Sequence, residues 1–296
     1  SINNSLSWLG GTATATHLVT AFQGDNGVSI GEGFRGKGQF WFHVQNNLGS
    51  DFSAHPDNFG EWSGVGPNPS LTFYSQPTIY NMTMVGAGHD IAVPVGKQES
   101  ALLFKEKFHG EIGNSIFTQF ANRFALHDGT VDSTGVVLKG SIVWNTTELN
   151  HNQWSYLDSQ GVISRSTNSI VDPLLRGIRL GLKSAGLDPR PGKLSPALRF
   201  GVAEPAGLVD VNYAGAFGPA IGDLWTRGWT ALDQGGYMTT GVAVTPANSE
   251  YPLSQGFDIA INYKDTTAVS FVNAAILLNS TDITSFLLGS GLLVEI

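Results

Sequence analysis

The chain of 296 residues is 41% hydrophobic and carries a formal net charge of −8, so it can bury one large core or two modest ones. Cysteine is absent, which excludes a disulfide framework, a thiolate metal site and a cysteine nucleophile. The acidic balance argues against nucleic acid as the main partner, because phosphate binding depends on clustered Lys and Arg.

The first half of the chain is predicted to be rich in β-strands. Residues 38–45, GQFWFHVQ, alternate in a way that predicts a half-buried strand with Trp41 and His43 on its less buried face. Such a face could bind a sugar ring or another subunit, or lie under a loop. Residues 49–70 are dense in Gly, Pro, Asn, Asp and Ser and predict a loop. Further strands are predicted at residues 78–85, 90–95, 101–108 and 134–144.

Apolar side chains recur at helical spacing in three segments: residues 114–126, 172–187 and 219–232. The pattern is clearest in the second segment. There, Asp172 can cap the first turn, Pro173 occupies the first helical position, and Gly186 can end the helix. The face opposite the apolar stripe is basic, and its members are Arg176, Arg179 and Lys183. This segment therefore predicts an amphipathic surface helix.

The C-terminal region is predicted to contain a strand at residues 239–244, a hairpin at 257–272, a short helix at 281–288 and a final apolar strand at 291–296. No internal repeat is evident by inspection. Taken together, the elements predict a mainly β fold, with α+β as the alternative. The expected architecture is an antiparallel β-sandwich or jelly-roll-like core with three or four short helices.

Charge is distributed unevenly along the chain. Residues 165–199 carry seven basic and two acidic residues, between two acidic flanks. Such a band could dock on an acidic surface of the same chain or of another copy, or it could be a solvated helix face. On the docking interpretation, Arg176, Arg179 and Lys183 are predicted subunit contacts. The band also suggests three parts, residues 1–164, 165–199 and 200–296, unless all of them form one domain.

Three His–acid pairs are candidates for acid–base catalysis or metal binding: His55 with Asp57, His89 with Asp90, and His127 with Asp128. All three lie in turn-like contexts, where these residues commonly make local hydrogen bonds. Because no HxH or HxxxH spacing occurs, we predict no metal site. The glycine-rich segments lack phosphate-binding motifs, so no cofactor is expected. Carboxylates for glycoside hydrolysis could come from Asp51, Glu61, Glu99, Glu106 or Glu111.

The sequence limits the cellular location. No apolar run reaches the roughly 18 residues of a membrane span, and no signal-peptide pattern is present. The chain begins at Ser1 without Met, so we expect that either an initiator Met or a signal peptide has been removed. We expect an extracellular protein or a component of a virion-like assembly.

Two functional hypotheses remain. Charged residues make up 14% of the chain and Gly is abundant, which favours a non-enzymatic, self-assembling structural subunit of the capsid, shell or extracellular-fibre kind. Its partners would be copies of itself. The alternative is a secreted glycan-active enzyme or lectin that uses exposed Trp41, Trp62 and Trp154 as stacking platforms for sugars. Whether the protein catalyses a reaction is left open.

Overall fold

The computed structural model describes residues 4–45, 58–65, 73–89, 99–127, 135–146, 167–178, 186–238, 277–278 and 281–282. Its first 171 residues form the strands β1 (Leu6–Leu9), β2 (Thr14–Ala21), β3 (Val28–Gly31), β4 (Lys37–Val44), β5 (Asn58–Ser63), β6 (Thr78–Val85), β7 (Ser100–Lys105), β8 (Gly110–Gly113), β9 (Ile116–Phe120), β10 (Ala125–His127), β11 (Val136–Lys139), β12 (Ile142–Thr146) and β13 (Ser169–Ile170).

These strands form two sheets in which every pairing is parallel. The first sheet has the order β1-β3-β5-β7-β10, and the second contains the remaining strands. The chain thus alternates between the two sheets, and each return adds a strand parallel to the previous strand of that sheet. This arrangement is a parallel β-helix. The predicted antiparallel β-sandwich or jelly-roll-like core is wrong, because the alternation of apolar residues identifies strands without revealing their direction.

The second sheet bends along a column of residues with positive φ angles. The pairing registers align one such residue from each coil: His17 (φ 56°), Phe40 (φ 58°), Asn81 (φ 53°), Asn114 (φ 48°) and Gly140 (φ 62°). Asn and Gly adopt this conformation more readily than other residues. Strand β6 pairs with β8 before the bend and with β9 after it. Each coil therefore has three sides.

The core is a file of apolar side chains stacked from coil to coil. Trp8, Ile30, Trp62 and Phe104 share one register position of the first sheet. Trp62 is completely buried, and its indole Nε1 donates a hydrogen bond of 3.2 Å to the Val28 carbonyl. Because each side chain packs against its equivalents above and below, the file forms a continuous interior along the β-helix axis.

Further short elements follow the coils, and residues 186–238 cover one outer face of the β-helix. The short elements are β14 (Leu175–Gly177), β15 (Asp188–Pro191), two 3-10 helices at Pro196–Arg199 and Ile221–Asp223, the helix α1 (Ala231–Gln234), and the short pair β16 (Leu277–Leu278) and β17 (Thr281–Asp282). Phe217, Leu224 and Leu232 pack against Phe42 and Val44 of β4 in a second apolar cluster. We call residues 186–238 the covering segment.

Four predicted strands are confirmed in position, since residues 38–45, 78–85, 101–108 and 134–144 correspond to β4, β6, β7 and the pair β11–β12. The predicted less buried face of the first of these strands is wrong. Trp41 and His43 are 0% and 1% exposed. They face the interior, while their neighbours on the other side lie beneath the covering segment.

The helix predicted at residues 172–187 is wrong. Asp172 does not cap a helix: its Oδ1 accepts a 2.8 Å hydrogen bond from the Leu174 N–H in a local turn. Strand β14 follows and pairs antiparallel with β15. The Arg190 guanidinium donates to the Asp188 carboxylate at 2.7 and 2.8 Å within β15 and forms a buried ion pair with it. Residues 179–185 lie outside the described residues.

The helix predicted at residues 114–126 is also wrong, because this segment forms β9 and β10. Ile116 and Phe117 are both buried, one toward the covering segment and one toward the interior. A strand buried on both faces has apolar residues in a row, and such a run resembles helical spacing. In residues 219–232, the structure forms a 3-10 turn and the beginning of α1 instead of a continuous helix.

Other predictions are corrected or fall outside the described residues. The loop predicted at residues 49–70 contains β5, and the helix predicted at 281–288 begins with β17 instead. The elements predicted at residues 90–95, 239–244, 257–272 and 291–296 lie outside the described part of the chain. The division of the chain at residues 164 and 199 stays a prediction.

The β-helix is a repeat that inspection of the sequence did not detect. Equivalent positions of the first sheet are Leu6, Val28, Gly60, Leu102 and Ala125. Successive coils are therefore 22, 32, 42 and 23 residues long. Since the turns between strands vary so much in length, the sequence has no fixed period.

No helix among the described residues has the length and apolar character needed to span a membrane.

Replacing a residue of the interior file tests the stacking. We expect Trp62→Ala to lower the free energy of unfolding by about 3–5 kcal/mol, the usual cost of removing a buried Trp. Val137→Ala is the matched control, because Val137 lies on β11 and is 42% exposed. Chemical denaturation measures both variants. Equal, small losses for the two variants would contradict the buried position of Trp62.

One buried carboxyl group makes stability depend on pH. Glu99 is 2% exposed, and among the described residues neither of its carboxyl oxygens has a hydrogen-bond partner. Burial raises the pKa of Glu99 from 4.5 to about 8, because the charged form loses its hydration. The folded protein thus keeps a proton that the unfolded chain releases above pH 4.5. The contribution of this proton to the free energy of unfolding is largest below pH 4.5 and is lost as the pH rises toward about 8.

Glu99→Gln should therefore flatten the dependence of unfolding free energy on pH. At pH 7 we expect the variant to be more stable than the native protein by up to about 3 kcal/mol. Glu61→Gln serves as the control, since Glu61 pairs with Lys105 at the surface. Denaturation curves between pH 4.5 and 8 test this expectation. An unchanged pH profile in Glu99→Gln would refute it.

Candidate functional site

The tryptophans predicted as stacking platforms do not form a binding surface. Trp41 and Trp62 are both 0% exposed, and each indole N–H donates to a backbone carbonyl, of Ala15 at 2.9 Å and of Val28 at 3.2 Å. Their role as exposed sugar platforms is therefore wrong, because both rings fill the interior of the β-helix. Trp154 lies outside the described residues.

The three His–acid pairs remain predictions. His89 Nδ1 lies 3.3 Å from the Gln119 side-chain oxygen at the surface, and the backbone of His127 ends β10. The other members, His55, Asp57, Asp90 and Asp128, lie outside the described residues. Within the part of the chain that the structure describes, no three His, Asp or Glu side chains are arranged to hold a metal ion.

The predicted subunit contacts are also untested. Arg176 donates from Nε to the Pro191 carbonyl at 3.3 Å and from Nη2 to the Pro219 carbonyl at 3.0 Å. These bonds join β14 to the covering segment of the same chain. Arg179 and Lys183 lie outside the described residues.

The candidate carboxylates are spread over several elements. Glu61 is on β5, Glu99 precedes β7, Glu106 follows β7, and Glu111 is on β8, whereas Asp51 lies outside the described residues. Glu61 and Glu111 form ion pairs with lysines of the next coil, Lys105 at 3.0 Å and Lys139 at 2.9 Å. Both pairs therefore link adjacent coils, as cross-strand charge pairs do in other sheets.

A further carboxylate, Glu204, connects the covering segment to the bend of the second sheet through a hydrogen bond. Its Oε1 accepts a 2.8 Å hydrogen bond from Asn114 Nδ2. The Asn114 side chain also donates from Nδ2 to the Val202 carbonyl and accepts at Oδ1 from the Val202 N–H, both at 2.7 Å. Burial raises the pKa of Glu204, and the hydrogen bond from Asn114 offsets part of this rise. The sequence pattern did not identify this cluster, because Asn114 lies 88 residues before Val202 and 90 residues before Glu204.

A cleft of about 500 Å³ opens between the edge strand β2 and helix α1. The described residues that line it are mainly aromatic and aliphatic: Val19, Ala21, Phe22, Trp229, Thr230, Ala231, Leu232 and Tyr237. The Trp229 side chain is 57% exposed. The Phe22 and Tyr237 rings lie 4.8 Å apart at 52°. The cleft thus combines an accessible indole with a second aromatic wall.

Trp229 is held in place by other aromatic side chains. Its ring stacks on Trp225 at 6.4 Å and 23°, and Trp225 stacks on Phe217 at 5.2 Å and 14°. Its Nε1 donates a 2.7 Å hydrogen bond to the Trp225 carbonyl. The second indole, Trp225, donates to the Ala216 carbonyl at 2.8 Å. The exposed face of Trp229 is therefore presented by a rigid support.

The local sequence explains the shape of this support. Gly228 has φ 85°, a conformation that Gly adopts without strain, and its N–H donates to Asp233 Oδ2 at 2.8 Å. Thr230 caps α1: its hydroxyl donates to the Thr226 carbonyl at 2.6 Å and accepts from the Asp233 N–H at 3.3 Å. Gly235 then ends the helix. Trp229 consequently lies on a tight turn that these hydrogen bonds stabilise.

Sequence reasoning missed Trp229. The segment WTRGWT lies within the helix predicted at residues 219–232. The signal that could have indicated the site is the Gly between the two tryptophans, because Gly228 breaks the helix and turns the second indole outward.

Comparison with known proteins identifies the family. Residues 1–171 match the model of the pectate-lyase-like β-helix domain, whereas no curated protein and no solved structure matches. Domains of this kind are typical of glycan-active enzymes and adhesins, and proteins that contain them are often extracellular. The predicted capsid, shell or fibre subunit is therefore wrong. The matched region covers more than half of the sequence and coincides with the coils described above, and the chain belongs to the pectate-lyase-like β-helix family.

Proposed function

We propose that the protein binds glycans at the aromatic cleft between β2 and α1. The observation that carries this proposal is the exposed ring of Trp229, supported from behind by Trp225 inside a cleft of about 500 Å³. Sugar rings have an apolar face of C–H groups, and aromatic side chains with one polar end are well suited to stack against it.

The setting of the cleft supports this function. Two of its walls, Phe22 and Tyr237, are aromatic as well, and the Tyr237 hydroxyl can both donate and accept hydrogen bonds. Membership of a family typical of glycan-active enzymes and adhesins supports the same conclusion. We place the protein outside the cell, where such ligands occur.

Removing the exposed indole should abolish most of the binding. We expect Trp229→Ala to weaken glycan affinity at least tenfold, equivalent to about 1.4 kcal/mol, because the sugar loses its stacking surface. The measurement is a glycan array followed by calorimetric titration of the oligosaccharides that bind.

Two controls separate binding from folding. Phe73→Ala removes another large aromatic side chain, 47% exposed, that does not line the cleft, and it should bind glycans like the native protein. Trp62→Phe keeps an aromatic ring in the interior and should also bind normally. If the native protein binds no glycan on a broad array, or if Trp229→Ala binds as well as the native protein, the proposal is wrong.

A further inference from the structure

The described residues that line the cleft carry no charged side chain. The eight described lining residues include no Lys, Arg, Asp or Glu. Arg227, the closest basic residue in sequence to Trp229, is not among them. The nearest charged group along the chain is acidic, since the Asp233 carboxylate follows the lining residue Leu232 and bonds the turn below Trp229.

The histidine beside the aromatic support, His17, does not change the balance of charge around the cleft. The His17 ring lies 5.0 Å from the Trp225 ring at 88°. Burial lowers the pKa of His17, because the charged imidazolium would lose hydration, and it therefore favours the neutral ring. The protein as a whole carries a formal net charge of −8, which repels anions at low ionic strength.

These features are opposite to those that recognise a uronate. Proteins bind carboxylate groups through Arg or Lys, often with bidentate geometry, or through a metal ion. The described lining residues supply neither Arg nor Lys, and the described part of the chain forms no metal-binding cluster. Each sugar carboxylate would enter an apolar, acidic environment and lose hydration without a partner.

We propose that the ligand of the cleft is a neutral glycan and not an acidic polysaccharide. This inference rests on the proposed function and names the class of sugar that the same site accepts. Neutral hexose or pentose units place C–H faces on Trp229, and their hydroxyl groups remain hydrated or bond Tyr237 at the rim.

The direct test compares two sets of hexasaccharides with the full chain by calorimetry. One set is neutral, built from glucose, xylose, mannose or galactose, and the other is built from galacturonate or guluronate. We expect at least one neutral hexasaccharide to bind tenfold or more tightly than any uronate. Its affinity should change less than twofold between 0.05 and 0.5 M NaCl, because no ion pair is screened.

A charge variant locates the effect in the cleft. Ala231 is an exposed lining residue at the start of α1. Ala231→Lys should create uronate binding that weakens with salt, whereas Ala231→Gln, of similar length and without charge, should not.

The outcomes separate the two proposals. Trp229-dependent binding of uronates in preference to neutral sugars would overturn the neutral-glycan inference and leave the proposed function intact. Trp229-dependent binding of unstructured apolar peptides, with no saccharide bound, would overturn both.

Discussion

Parallel hydrogen bonding between successive coils is the constraint on which the rest of this structure depends. It fixes the register, so that every residue packs against its equivalents in the coils above and below. Large apolar residues such as Ile30, Trp62 and Phe104 therefore form one continuous file. The same register requires the bends to coincide, and Asn81, Asn114 and Gly140 adopt the positive φ angles of these bends more readily than other residues would.

The covering segment follows from what the coils leave exposed. The outer face of β4, β6, β9 and β12 is apolar, and residues 186–238 bury it. Polar side chains at the bend attach this segment, as Asn114 does through its bonds to Val202 and Glu204. At the first coil, β2 pairs with β4 and with no other strand of the described residues. The segment that contains α1 meets this edge without filling it, and the aromatic cleft is the space between them.

The sequence predicts strand positions better than it predicts their arrangement. Strands β4 and β6 were located correctly because local composition and β-propensity are independent of strand direction. The coils were not recognised, since their lengths vary between 22 and 42 residues. Burial was misassigned where a strand is covered on both faces, as at Trp41 and in the segment beginning at Asn114. Trp229 was missed because its exposure depends on the positive φ angle of Gly228, which periodicity alone does not reveal.

The central claim is that a glycan binds against Trp229. A crystal structure of the protein with a bound neutral oligosaccharide tests it most directly. The account predicts a sugar ring stacked on the exposed face of Trp229, within the space bounded by Phe22 and Tyr237. An oligosaccharide bound elsewhere, for example along the outer surface of the first sheet, with the cleft empty, would contradict the account.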